Sequence, residues 1–168
     1  MRAAVLFVAG LWIGLLVASW AVASGSFRTT ERLLGPEARP EMQARLAPLA
    51  PDDRRLVLRH AAAEANRWMF RTWAAMEMVL AAALVLLSWR LGTGSRWVAL
   101  AVAAVVLLQS AAVGPAIAQL GRGLDFVPRP LPPVTGRQFG LLHAAYMLAD
   151  VVKAAVLAAA ALIARRGL

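Results

Sequence analysis

Four long apolar stretches alternate with polar segments along the chain, and they determine the fold class. They cover residues 3–23, 69–89, 97–118 and 139–164. A helix needs about 20 mostly apolar residues to cross the hydrocarbon core of a bilayer. The pattern therefore predicts an all-α integral membrane protein, in which residues 1–168 form a single four-helix bundle.

The first apolar stretch also has features of a signal peptide. It follows a basic residue and ends in Ala21-Val22-Ala23, which is similar to a cleavage site. The apolar region of a signal peptide is about 7 to 15 residues long. Because this stretch is longer, we interpret it as a spanning helix that ends near Ser24.

The polar segment 27–68 contains two helix starts. Pro40 predicts the start of a short helix that lies on the membrane surface. Pro51 is followed by two acidic residues, which are favourable in the first turn of a helix. Neither Gly nor Pro interrupts residues 52–89. We therefore predict one long helix there, whose first part projects beyond the bilayer and whose second part spans it.

The second half of the chain has two further breaks. Gly114-Pro115 predicts a kink near the end of the third span. Residues 121–137 are rich in proline, which predicts an extended linker on the surface. The short segment 91–95 predicts a tight turn between the second and third spans.

Composition supports the membrane assignment. Hydrophobic residues make up 61% of the chain and charged residues 16%, against roughly 45 to 50% and 25% in soluble domains. The net charge of +9 comes mainly from arginines outside the spans, where they can meet lipid headgroups. The lipid bilayer is thus the expected partner, and nucleic acid is not. The chain has no cysteine, which excludes disulfides and thiolate chemistry.

The arginines also bear on orientation. Twelve of them lie on the side that holds the two long loops, and five lie at the termini and the short turn. The positive-inside rule counts Lys and Arg in loops, so we predict that the long loops are cytoplasmic. Seven acidic residues on the same side reduce its net charge. We expect a multi-pass protein of a bacterial inner membrane or a plasma membrane.

Three charged residues fall inside the spans, where each would cost about 2.5 to 3.5 kcal/mol on insertion scales. These are Glu77, Asp150 and Lys153. Asp150 and Lys153 are three residues apart, so we predict that they pair along one helix. Helical rise places polar residues of all four helices at similar depth, about 6 to 14 Å from the long-loop ends of the spans. These residues are Glu77, Gln109, Ser110, His143 and Tyr146, with Ser19 nearby. Asp150 and Lys153 lie deeper, at about 16 to 21 Å, and form the floor of the predicted polar layer.

Two interpretations of this layer remain open. It can be a pocket or proton path that opens toward the long loops, with Glu77 and His143 exchanging protons. It can also be structural, with buried polar groups that hydrogen-bond between helices for about 0.6 kcal/mol each. Glu77 has no basic residue at a favourable spacing on its own helix. We therefore expect a partner from another helix, with His143, Tyr146, Gln109 and Ser110 as candidates.

Metal and cofactor sites are not expected. Methionines in the spans could bind copper(I), but methionine is also common in helical cores. A haem held by two histidines would need His60 close to His143, and His60 lies beyond the span. His60 and Glu64, one turn apart, could form half of a metal site. With Arg67 and Arg71 they more often form a salt-bridged, solvated face.

Several motifs resemble those of a known family. The last third contains Pro115-x-Ile117-x-x-Leu120 and then Phe139-x-x-Leu142-His143, and the first helix contains Leu11-Trp12-Ile13-Gly14 followed by Phe27-Arg28. This pattern resembles the transmembrane protein 205-like family, whose biochemistry is unsettled. The resemblance implies a four-helix membrane fold, with His143 at the family's histidine position. Drug or metal resistance has been suggested for some members. Similar sequences tend to have Asn at the position of Asp150.

Two functions are compatible with these observations. The first is a small transport or resistance protein that uses the polar layer. The second is a structural or accessory subunit of a larger membrane complex. Four helices are few for a transporter, so a homo-oligomer or a larger complex is expected. Gly10, Gly14 and Ala18 recur every four residues and form a ridge that lets a neighbouring helix approach closely. An enzyme is less favoured, because no nucleophile or cofactor site can be assembled.

Overall fold

The protein is an all-helical membrane bundle. The computed structural model describes residues 2–127 and 130–166, with side chains described up to Leu162. The helices in these residues are α1 (Arg2–Leu34), α2 (Pro40–Leu46), α3 (Pro51–Ser88), α4 (Thr93–Leu124) and α5 (Pro133–Arg166). All but α2 are long and apolar enough to cross a membrane. The predicted fold class is confirmed, including the extension of the second spanning helix.

The long helix predicted over residues 52–89 is present as α3, without interruption. The predicted end of the first helix near Ser24 is wrong, because α1 continues to Leu34. Packing against α3 explains the extra turns. Ser26 Oγ donates to Asn66 Oδ1 at 3.0 Å, and the Thr30 hydroxyl lies 3.4 Å from the carbonyl oxygen of Leu58. Contacts with a neighbouring helix thus outweigh the weak helix propensity of Ser and Gly.

α4 contains a π-helical turn at Gln109–Val113, just before the predicted kink. In this turn the backbone N–H of Gly114 donates to the carbonyl of Gln109, one residue further back than in an α-helix. A Cβ at Gly114 would lie 3.0 Å from that carbonyl oxygen. The close approach explains why glycine occupies the position. The observed irregularity of α4 is thus this π turn, directly before the Gly114-Pro115 position of the predicted kink.

The proline-rich linker is shorter than predicted. α4 ends at Leu124, and α5 begins at Pro133 rather than near residue 139. Proline is compatible with the first turn of a helix, which is why α5 can begin inside the linker. Residues 128–129 of the linker lie outside the described residues. Between α3 and α4 the chain turns at Gly92, whose φ of 126° favours glycine.

Successive spanning helices run antiparallel, so the bundle has two ends. The end that holds the α1–α3 and α4–α5 connections is called the loop side. The end that holds the α3–α4 turn and the start of α1 is called the turn side. Toward the turn side the core is apolar, and it includes Val5, Ala9, Ala81, Leu84, Ala99, Val102 and Leu157. Toward the loop side the buried residues include many polar ones.

Candidate functional site

A group of buried polar side chains joins the four spanning helices near the middle of the bundle. α1 contributes two tryptophans, α3 a glutamate, α4 a glutamine, and α5 an aspartate and a lysine. We call this group the charge cluster; its members are Trp12, Trp20, Glu77, Gln109, Asp150 and Lys153. Its charged members are almost completely buried, with exposed fractions of 0 to 1%.

Lys153 is the centre of the charge cluster. Its Nζ pairs with Oδ1 of Asp150 at 2.9 Å, one turn away on α5. It also pairs with Oε1 of Glu77 on α3. The predicted Asp150–Lys153 pair is therefore confirmed, and both side chains point into the bundle. A single ammonium group contacts two carboxylates.

Asp150 is held by three hydrogen-bond donors. Besides Lys153, Nε2 of Gln109 donates to its Oδ1 at 3.0 Å, and Nε1 of Trp20 donates to its Oδ2 at 3.1 Å. The same Gln109 nitrogen lies 3.1 Å from the backbone carbonyl of Tyr146. Both carboxylate oxygens of Asp150 therefore have hydrogen-bond donors.

Glu77 is less completely satisfied than Asp150. Its Oε1 accepts from Nε1 of Trp12 at 3.1 Å and from Lys153. Its Oε2 is buried and has no hydrogen-bond partner among the described residues. One oxygen therefore has two donors and the other has none. An unpaired carboxylate oxygen away from water is costly, whereas a protonated carboxyl carries no charge.

The two carboxyl groups share one ammonium group but contact different turns of α1. Asp150 contacts α1 at Trp20, and Glu77 contacts it at Trp12. Since α1 runs from the turn side to the loop side, the contact with Trp20 is the one nearer the loop side. Nζ of Lys153 contacts both carboxyl groups at once, so the two groups lie close together.

The charges of the cluster do not balance if all three groups ionise. Two carboxylates and one ammonium give a net charge of −1 in a buried site. A buried charge without compensation costs several kcal/mol, so such sites bind or release a proton instead. With one carboxyl protonated, the cluster is neutral. Of the two carboxyls, Asp150 has donors to both oxygens, whereas Glu77 has donors to only one among the described residues.

The structure separates the predicted polar layer into two parts. Glu77, Gln109, Asp150 and Lys153 come together in the charge cluster. His143 does not join them, because it is exposed on α5 and stacks on Phe139. The candidates named as partners of Glu77 are therefore wrong, since Lys153 and Trp12 pair with it.

The remaining two layer residues lie beside the cluster. Tyr146 is buried one turn before Asp150, and its ring packs edge-on against Phe70, with centroids 5.8 Å apart. Ser110 follows Gln109 in the π turn, and its buried hydroxyl has no partner among the described residues. Ser19, noted nearby, donates to the carbonyl of Leu16 at 2.8 Å.

Sequence reasoning missed the tryptophans of α1. Trp20 lies near the end of the first apolar stretch, where tryptophan is typical of the membrane interface, yet it donates to Asp150. Trp73, near the start of the second stretch, is buried with an exposed fraction of 4%. Trp12 is fully buried against Glu77. One signal was available, since an indole N–H in the middle of an apolar span needs an acceptor.

A second polar cluster lies at the loop side, where α3 extends past the bundle. Arg67 donates to both oxygens of Asp125 at 3.1 and 2.6 Å and to Glu64 at 2.7 Å. The hydrogen bond from Arg67 lowers the pKa of the Glu64 carboxyl. His60 Nδ1 lies 3.1 Å from Asp125 Oδ2, and its ring packs against Phe126. These contacts join α3 to the end of α4.

The loop-side cluster has the residue types of a metal site. One ligand atom from each of His60, Glu64 and Asp125 lies within 4.8 Å of the others. The guanidinium of Arg67, however, already binds both carboxylates at hydrogen-bonding distance. A cation there would have to displace it. The ion pairing expected from the sequence is confirmed for Arg67 and Glu64, but Arg67 is largely buried against Asp125 and is not solvated.

Two surface pockets lie away from the charge cluster. One of about 270 Å³ is lined by residues that include Gly35 and Arg54, and one of about 350 Å³ by residues that include Gln119 and Thr135. No member of the charge cluster lines either pocket.

Comparisons with models of protein families, with characterised proteins and with solved structures found no match.

Proposed function

We propose that the protein is a small proton-coupled transport or resistance protein, in which Glu77 takes up and releases one proton. The observation that carries this proposal is the sharing of one buried ammonium by two buried carboxyls. Such an arrangement has a neutral state and a state of charge −1. A change between them alters the electrostatics at the centre of the bundle.

The proton can affect helix packing because the cluster joins all four spanning helices. In the protonated state, Lys153 neutralises Asp150, and the neutral Glu77 still accepts from Trp12. Loss of the proton leaves two carboxylates competing for Lys153. The resulting repulsion would weaken the contacts of α5 with either α3 or α4. Proton binding is thereby coupled to the positions of helices, which transport requires.

The loop side is placed in the cytoplasm under this proposal, on the basis of its arginines. Most of their side chains are exposed, including Arg28, Arg32, Arg55 and Arg122. Exposed guanidinium groups outside the spans can bind anionic headgroups, which are abundant in the cytoplasmic leaflet. Proton exchange at Glu77 would then take place in a protein whose loop side is held at the cytoplasmic leaflet by these arginines.

Infrared difference spectroscopy tests the proton site directly. We expect a protonated-carboxyl C=O band in the purified protein near neutral pH, which shifts in D₂O. Glu77→Gln should abolish this band, because the remaining Asp150–Lys153 pair is neutral without a proton. Asp150→Asn removes the other carboxyl and leaves Glu77 paired with Lys153, so it should also abolish the band and tests the charge balance of the cluster. His143→Ala is the control that should keep the band, because His143 is exposed and stacks on Phe139 outside the cluster.

The activity of Glu77→Gln separates a proton-exchanging cluster from a purely structural one. If Glu77 is the exchanging group, Glu77→Gln folds but loses any proton-dependent transport or resistance phenotype. A purely structural cluster predicts that Gln, which keeps hydrogen bonding, is fully tolerated. A band that persists in Glu77→Gln, or full proton-dependent activity of that variant, would contradict the proposal.

A second candidate function is an accessory subunit, favoured by the outer face of α1. Gly10, Gly14 and Ala18 are exposed there, and a Cβ at either glycine would meet no atom within 4 Å. The ridge predicted from the sequence therefore has no partner helix within the described residues. A helix of another protein, or of a second copy, could approach it closely.

Replacing Gly14 with isoleucine tests this candidate. If the ridge packs against another chain, we expect Gly14→Ile to dissociate the assembly in native mass spectrometry from mild detergent. The matched control is Val17→Ile, because Val17 is also exposed on α1 and already has a branched side chain. Equal masses for the native protein and both variants would remove this candidate.

A further inference from the structure

The buried polar groups near Glu77 are distributed unevenly along the bundle. On α3, Asn66, Trp73 and Glu77 are spaced by seven and four residues, so they lie on one face. On α1, Ser19 and Ser26 are spaced by seven. Both faces meet at the α1–α3 interface, where Ser26 Oγ donates to Asn66 Oδ1 at 3.0 Å. Polar side chains therefore recur along this interface from its loop-side end to Glu77, beside the buried side chain of Leu16.

Two atoms in this interface are buried and unsatisfied. Nε1 of Trp73 and Oε2 of Glu77 have no hydrogen-bond partner among the described residues. Their side chains are 96% and 100% buried, since the exposed fractions are 4% and 0%. They lie one helical turn apart on α3. Buried polar atoms of proteins are nearly always satisfied, and ordered water commonly supplies the missing partner.

In the opposite direction, the side chains next to Glu77 are apolar. Toward the turn side, Glu77 is followed on α3 by the buried side chains of Ala81 and Leu84, and the buried polar side chain of Ser88 follows only at the end of the helix. α1 contributes Ala9 and α5 contributes Leu157 to the same part of the core. These groups offer neither donors nor acceptors to a proton or a water molecule. The surroundings of Glu77 are polar on one side and sealed on the other.

We propose that ordered water at the α1–α3 interface connects Glu77 with the loop side, and that Glu77 exchanges its proton with that side alone. A water bound by Trp73 Nε1 and Glu77 Oε2 forms the inner end of the route. Ser19 lies between this end and the Ser26–Asn66 pair, which forms the outer end. The proposal rests on the proton exchange proposed for Glu77, and it adds the direction of access.

Cysteine accessibility tests the route, and the native chain contains no cysteine of its own. Ser19→Cys and Ser26→Cys place a thiol in the polar interface, and Ala9→Cys places one in the apolar part of the same helix. Silver ion is a small thiol-reactive cation that can follow water. Each full-length variant is exposed to silver ion in detergent, then unfolded and labelled with a maleimide, and the label is measured by mass spectrometry.

We expect silver ion to block labelling of Ser26→Cys and Ser19→Cys, while Ala9→Cys remains fully labelled. If silver ion leaves Ser19→Cys as fully labelled by maleimide as Ala9→Cys, the water route is overturned. If silver ion blocks maleimide labelling of Ala9→Cys as fast as that of Ser19→Cys, the one-sided access is overturned. Far-UV circular dichroism confirms that each variant is folded before the comparison.

Trp73→Phe provides a second measurement that needs no added thiol. It keeps an aromatic ring but removes the N–H that would hold the inner water. We expect slower H/D exchange of the Glu77 carboxyl band after a jump into D₂O, and an unchanged rate would contradict the route. These results are separable from the proposed function, because the presence of the band reports the proton, whereas its exchange rate and the silver reaction report access.

Discussion

Replacing Lys153 with methionine should destabilise the folded protein by about 3–5 kcal/mol, as found when one partner of a buried ion pair is removed. Methionine fills a similar volume but carries no charge. Asp150 and Glu77 would then be buried without a cation. Both would have to bind protons, or the helices around them would separate. Unfolding of the purified protein in mixed micelles, followed by circular dichroism, measures the change.

Glu77→Gln is the matched control for this prediction. It also removes one ionisable group from the cluster, but it leaves Asp150 and Lys153 as a neutral pair with their contact at 2.9 Å. We expect a much smaller loss of stability than for Lys153→Met. Equal losses for the two variants would show that the balance of charge is unimportant, and would leave only side-chain packing as the contribution of the cluster.

Trp12→Ala is expected to have a similarly large effect, for a different reason. Trp12 is fully buried and is the largest of the completely buried side chains. Truncation of a buried Trp costs about 3–5 kcal/mol in soluble cores because it leaves a cavity. Here it also removes the only donor to Glu77 besides Lys153 among the described contacts. The same unfolding measurement applies.

Two further variants separate the contributions of Trp12. Trp12→Phe keeps most of the ring but removes the N–H, so it reports the hydrogen bond to Glu77 with a smaller loss of stability. Trp68→Ala removes an indole that is 69% exposed and should leave stability nearly unchanged. If Trp68→Ala were as harmful as Trp12→Ala, burial would not explain the effect.

The spanning helices could be predicted because a membrane requires long apolar segments, whatever their neighbours are. The end of α1 could not, since Ser24 and Ser26 are weak helix formers in isolation. Ser26 is stabilised by Asn66, which is 40 residues away in the sequence. Sequence periodicity indicates which face of a helix is buried, but it does not indicate which neighbouring helix packs against that face.

The same limit explains the result for the candidate site. Asp150 and Lys153 share a helix, so their pair followed from spacing alone. The partner of Glu77 depends on how α3 and α5 are placed, and depth alone suggested His143. Lys153 was assigned to a deeper level because the length of its side chain was not considered. Its extended stem places the ammonium group beside Glu77.

The π turn of α4 also bears on the length of the chain. A π turn contains one residue more than an α-helix needs, so deleting Ala111 or Ala112 would allow a regular α-helix. Because the turn absorbs the extra residue, the residues on either side of it would keep their directions after the deletion. Gln109 would still face Asp150, and Asp125 would still face Arg67. Homologous chains that keep both contacts can therefore differ in length by one residue between these two positions, and the shorter chains should lack the π turn.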